Sequence, residues 1–283
     1  MQSTTKHGMP ARRAVRSAGR LAIDILLVLV FFFPFFWMIS SSLKTLGETM
    51  QFPPSILPAN PQWQNYADAL KSGPFGVYLR NSIIVTLATL MCQTLTVIPA
   101  AYAFSQYRFR GKKVLFGITL VTMMVPVQLV FLPIFIMFSR WHMINSYASL
   151  VLPFATSAFN IFILRQTFNK MPPELIEAAK LDHASELTII FKLFLPMAMP
   201  TLVTLALLTF IGTWNDYFWP LVLTTKDLAR TLPVGVAALK ASESGVNFHL
   251  LMAANVVLTA PIMVVYLFAN KHIVKAFSYL GDK

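Results

Sequence analysis

An all-α integral membrane protein with six transmembrane helices, N-in and C-in, is the fold this sequence predicts. Three observations carry the prediction. Hydrophobic residues make up 56% of the 283 and charged residues only 12%, about half the charge fraction of an ordinary soluble domain. Six apolar runs each reach the ~20 residues that a helix needs to cross the hydrocarbon core. Lys and Arg, finally, are distributed unequally between the two sides that those runs define, as orientation in a membrane requires.

The first run, Leu21 to Leu43, follows the basic stretch ARRAVRSAGR. It is too long for the hydrophobic region of a signal peptide and no A-x-A site follows, so it reads as a retained first span. The second runs from Asn81 to Phe104, the third from Val114 to Phe138 and the fourth from Ser149 to Phe168. The fifth covers Met197 to Leu223 and the sixth Leu250 to Asn270. None alternates polar and apolar residues as a barrel strand would. With the N-terminus inside, sixteen of the 23 Lys and Arg lie on the cytoplasmic side and seven outside, the bias expected of this topology. The resulting organisation is a basic cytoplasmic N-terminus at 1–20, a six-span domain at 21–270 and a cytoplasmic tail at 271–283. The outer loops at 44–80 and 224–249 are long, and the first is rich in proline and aromatic residues (FPPSILPANPQWQNY), which predicts an ordered outer face.

The net charge of +12 follows from those cytoplasmic loops and does not call for a nucleic acid partner. The single cysteine, Cys92, cannot form an internal disulfide and reads as a small buried hydrophobe. There is no G-x-x-x-x-G-K-[ST], H-E-x-x-H or G-x-S-x-G, which predicts a chain with no catalysis, metal or cofactor of its own. Only two acids, Asp24 and Asp216, fall within the apolar runs. A proton or sodium relay needs more intramembrane charge than that, so energy for transport must come from elsewhere.

The spans are interrupted by Pro34, Pro99, Pro126, Pro133, Pro153, Pro220 and Pro261 and carry neutral polar groups at Gln93, Gln128, Asn160 and Asn255. Proline frees carbonyls that neighbours or water must satisfy. Together with Asn215 and Asp216 in TWNDYFWP, these side chains are candidates for a passage that binds neutral hydroxyl groups. The alternative for each is an interhelical hydrogen bond of under ~2 kcal/mol.

One polar stretch breaks the pattern. Between spans four and five, at 169–196, PPELIEAAKLDHASELTIIFKLFLP predicts two short cytoplasmic helices. Pro172 and Pro173 suit a first helical turn, and ELIEAAKL continues it with Ala178 and Ala179 as a small flat surface. Ser185 is the predicted N-cap of the second helix, with Glu186 beside its positive end. Such a unit can plug a partner's groove or rest on the bilayer surface.

Glu177-Ala178-Ala179, then Asp182 and Ala184, then Leu193-x-Leu195-Pro196 resembles the EAA loop of bacterial ABC-importer permeases. MVPVQLVFLPIF, SLVLPFATSAFNIFILRQTF and WNDYFWPLVL extend the resemblance over nearly the whole chain, to the carbohydrate-uptake branch of the maltose-permease type. The resemblance implies a permease subunit in the bacterial cytoplasmic membrane, moving a sugar or oligosaccharide. It implies a heterodimer with a second permease, an extracytoplasmic sugar-binding protein, and two ATPase subunits that hold ATP and magnesium. Glu177, Ala178, Ala179, Asp182, His183 and Ala184 would then form the coupling loop docked on an ATPase. His183 stands where the family has glycine, and histidine reaches positive φ only at some cost. The same machine carrying glycerol phosphate, a polyol or another polar nutrient is the alternative, and a stand-alone secondary transporter is disfavoured by the sparse intramembrane charge.

Overall fold

The computed structural model describes the backbone of residues 9–240 and 247–281 and the side chains of 19–240 and 247–269. Every regular element among the described residues is helical. Four helices are long and apolar enough to cross a membrane, or up to six if two bent pairs each count as one span. By contacts the chain divides into two units, one reaching to Ala69 and resuming from Ser242 to Val256, the other covering Leu70–Ala241 and continuing from Val257.

The first unit opens with α1 (Met9–Ser42), followed by α2 (Leu46–Met50) and α3 (Gln64–Lys71). The helix α1 runs from Met9 through Arg20 without a break; residues 1–8 lie outside the described part. Every side chain from Gly19 to Phe35 is exposed, a surface that only lipid or another apolar partner can cover. Beyond Ser42 the outer loop is ordered by buried polar bonds. Lys44 is 1% exposed, with its Nζ donating to the Ser55 carbonyl at 2.5 Å and lying 4.4 Å from the Trp37 ring centroid. Desolvation holds this ammonium below its ordinary pKa, and the ring face and carbonyl offset part of the cost of burial. Asn65 donates to the carbonyls of Ser42 and Lys44, both at 2.8 Å. Thr45 and Glu48 close a capping box on α2, satisfying two backbone donors reciprocally.

The second unit is built on α4 (Phe75–Gln106), then α5 (Lys112–Thr122), α6 (Phe131–Arg140), α7 (Tyr147–Val151) and α8 (Ala158–Phe168). It continues through α9 (Pro173–Leu181), α10 (Glu186–Ile189), α11 (Leu195–Trp214), α12 (Phe218–Leu223) and α13 (Leu232–Lys240) to the latter part of α14 (Phe248–Gly281). The predicted third span is not one rod. Its two helical parts, on either side of Pro126, meet at 91°. Proline lacks an N–H and biases the residue before it away from helix, which accounts for the break. The fourth predicted span bends by 43° near Pro153. The last helix, α14, continues to Gly281; residues 282–283 lie outside the described part. The inner core gathers Val97, Ala101 and Tyr102 of α4, Leu164 and Phe168 of α8, and Phe194 and Ala198.

At the other end of α4 the 224–232 loop is stapled by two asparagines. Asn81 donates to the carbonyls of Leu228 and Arg230 at 2.9 and 2.8 Å and accepts from the Tyr147 hydroxyl at 2.7 Å. Asn145, at φ 66°, accepts the backbone N–H groups of Thr225 and Lys226 through Oδ1. Residues 241–246 of the predicted outer loop lie outside the described part.

Candidate functional site

The 169–196 stretch forms the first helix predicted from its sequence, but the second is not a short one ended at Pro196: it runs on through that proline into α11. Pro173 opens α9, where its missing N–H costs nothing. The helix is closed by two bonds past its last turn, Ala184 N–H to Ala179 C=O at 3.0 Å and His183 N–H to Lys180 C=O at 3.1 Å. His183 sits between them at φ 53°. This is a Schellman closure, which places one residue in the left-handed region and brings the third-last helical residue against the second beyond it. Ala179 and Ala184 are that pair, both half-buried against the inner core. The E-A-A-x-x-D-x-A pattern therefore has a local cause. Its second alanine and its final alanine build the turn.

That differs from the sequence reading, in which Ala178 and Ala179 shared one flat surface. Ala178 is exposed and Ala179 faces inward, as their 100° separation around a helix requires. The outward face carries Glu174, Leu175, Glu177, Ala178 and Leu181, with Leu181 80% exposed. Asp182 is an exposed C-cap. His183→Gly should relieve the left-handed strain, partly offset by the freer unfolded chain, for a net gain of about 0.5–1 kcal/mol. His183→Val should lose at least as much. Thermal unfolding in detergent checks both, and a loss on His183→Gly would contradict the strain argument.

Ser185 caps α10 as predicted, its Oγ accepting from Thr188 N–H at 3.3 Å. From there the chain runs through a π-helical stretch, Ile190–Phe194, directly into α11, so the second helix is continuous with a span. Glu186 reaches the Tyr102 hydroxyl at 2.5 Å. Tyr107 stands near the same carboxylate, and desolvation followed by the Glu186 charge raises its pKa above the ordinary value. Sequence reasoning gave Glu186 only a helix-end role; a tyrosine pair five residues apart at the inner end of span two was the available signal.

A second feature lies between α4, α8, α11 and α12. It is a cavity of about 410 Å³ lined by Gln93, Gln128, Asn160, Thr209, Asp216 and Thr231. Phe154, Phe159, Phe218 and Trp219 supply aromatic wall. Gln93 accepts from Asn160 Nδ2 at 2.8 Å and from the Thr209 hydroxyl at 2.9 Å, and donates to the Phe154 carbonyl at 2.9 Å. These groups thus knit three helices together while lining the space. Thr231 is 4% exposed and its hydroxyl has no partner. Four of the six predicted path residues meet here. Asn215 bonds the Ile211 carbonyl and does not line the cavity, and Asn255 bonds the Leu251 carbonyl. Asp216 is not inside a helix, because α11 ends at Trp214; its Oδ1 accepts from Trp219 N–H at the start of α12.

Residues 94–279 match the family described as binding-protein-dependent transport system inner membrane component. The arabinooligosaccharides transport system permease protein AraQ of Bacillus subtilis (strain 168) is 28% identical over 94% of this chain and 97% of its own length. The sn-glycerol-3-phosphate transport system permease protein UgpE of Pectobacterium atrosepticum is 32% identical, covering 90% of this chain and 92% of its own. Among solved structures, a bacterial ABC transporter involved in import of the acidic polysaccharide alginate superposes with a TM-score of 0.80 at 25% identity, over 95% of this chain and 100% of that one.

Proposed function

The chain belongs to the family of binding-protein-dependent transport system inner membrane components, and we propose that it serves an ATP-driven importer of a neutral sugar or oligosaccharide. As a family member it is a multi-pass inner-membrane permease subunit, not a catalytic enzyme. In the proposed assembly it crosses six times with both ends inside, each bent helix pair counting as one span. It pairs with a second permease, receives cargo from an extracytoplasmic binding protein, and is driven by two ATPase subunits that hold ATP and magnesium.

The observation that carries the coupling role is the outward face of α9. Glu177 and Ala178 are presented on a closed helix whose other side is fixed to the inner core. Helix, turn and following span form one continuous path, which suits delivery of a push. For cargo, the cavity offers amides, hydroxyls and aromatic faces, with one acid and no Lys or Arg among the described residues of its lining. That chemistry suits neutral hydroxylated solutes. A phosphate-bearing cargo, raised by the name of the UgpE relative, would meet an unfavourable charge at Asp216 and no compensating cation.

Co-purification of the ATPase with variants of this chain tests the docking face and its side of the membrane together. Leucine barely changes helix propensity relative to alanine, but Ala178→Leu adds bulk where close approach is needed, at about 1–3 kcal/mol. We expect Ala178→Leu and Glu177→Lys to lose ATPase and uptake while the chain still inserts and pairs with its partner permease. Lys192→Ala should retain both. Full docking and uptake in the first two variants would leave α9 as a helix resting on the bilayer.

A further inference from the structure

The geometry points to a latch at the inner end of α4. We propose that Tyr102, by holding Glu186, locks α4 to the coupling unit so that the two move as one body. The inference rests on the coupling role given to α9 above. Tyr102 is 3% exposed, and its hydroxyl donates to Glu186 Oε2 at 2.5 Å. Its ring stands edge-on to Phe194 at 5.0 Å and to Tyr107 at 5.6 Å, while Phe194 meets Phe168 at 5.0 Å. A charge-assisted bond of this kind is worth about twice a neutral one.

The cations nearby are committed elsewhere. Lys112 Nζ donates to the carbonyls of Ser105 and Tyr107 at 3.2 and 2.8 Å, and Arg165 Nε donates to Phe104 C=O at 2.8 Å. They satisfy the carbonyl end of α4, where positive charge is favourable. The Tyr102 phenol is the side-chain donor to this carboxylate. Apolar packing alone tolerates sliding of one surface on another, but a directional bond from a buried ring to a carboxylate fixes a register. Tyr102 and Glu186 are thus positioning residues, neither facing the cavity nor lying on the outward face of α9.

The experiment uses the full complex with partner permease and ATPase, with Cys92 replaced and spin labels at Leu95 and Lys180. The probe is magnesium ATP with vanadate. The unaltered chain should give the same label separation with and without trapped nucleotide. Tyr102→Phe/Tyr107→Phe keeps both rings and their packing, so it should fold and hold ATPase. Its label separation should nevertheless shift or broaden on trapping by about 1–2 Å or more, the scale of helix shifts in switching proteins. Glu186→Gln, which keeps an acceptor oxygen, should remain near the unaltered behaviour, and Glu186→Ala should resemble the double phenylalanine variant. If the double variant holds ATPase and its labels behave as in the unaltered chain, the latch is overturned and the coupling reading stands. A trapping-dependent shift in the unaltered chain also overturns the latch. Failure of the unaltered chain to hold ATPase overturns the coupling reading and the latch with it.

Discussion

Gly235→Ala should destabilise the second unit by about 3 kcal/mol, the upper end of ordinary overpacking, although the glycine is in a helix. In an exposed helix the same change gains about 1 kcal/mol. Here a Cβ on Gly235 would lie 2.2 Å from Cδ2 of Tyr78 and 3.0 Å from its Cγ. The ring base as well as its edge is therefore in the way, and Tyr78 is 4% exposed, with Phe75 edge-on at 5.4 Å. The strain cannot be relieved by turning the end of a flexible side chain. Because α13 is buried from Leu232 to Val236, displacing it also disturbs Leu232 N–H, which donates to Ser82 Oγ at 2.8 Å. Thermal unfolding and yield of folded protein in detergent measure the loss. Tyr78→Leu combined with Gly235→Ala should recover part of it, since the smaller side chain vacates the space. A Gly235→Ala protein as stable as the parent would show that α13 can shift freely.

That contact was not legible in the sequence, and the reason is physical. Apolar run length reports what a segment can cross, so α1, α4, α11 and α14 were found from it. It carries no information about a close approach between residues 78 and 235. The prolines were seen but not their different consequences. Pro34 and Pro99 lie within continuous helices, whereas Pro126 adjoins a 91° break. The residues just before Pro126, Met123 and Met124, have no predicted cap or polar staple, so nothing in the pattern announced the end of α5. Asp216 was placed within a span because TWNDYFWPLVL is apolar on both sides; the chain instead breaks there and uses the carboxylate at the start of α12. The coupling loop was far more legible, since proline at a helix start, a serine cap and a left-handed closure are local rules. Their one blind spot was direction. Adjacent alanines on a helix face different ways, and which of them faced inward depended on the core formed by α4 and α8.

The same distinction between local and assembled information decides how the cavity should be tested. Gln93 and Gln128 both line it, yet they differ in what else they do. Gln93 joins Asn160, Thr209 and the Phe154 carbonyl, so Gln93→Leu removes three part-buried bonds and leaves the Phe154 carbonyl without its amide donor, at about 1–3 kcal/mol. It should lower both the unfolding temperature and uptake. Gln128 is exposed to the open space, and Gln128→Leu should leave stability within about 0.5 kcal/mol, as surface changes do. If the cavity carries cargo, Gln128→Leu should still slow uptake by removing an amide from the path, with ATPase docking intact. Measuring unfolding and sugar uptake on the reconstituted complex separates the two roles. Uptake lost only in proportion to stability, with Gln128→Leu transporting normally, would mean that these amides bind the helices to one another and the solute passes elsewhere.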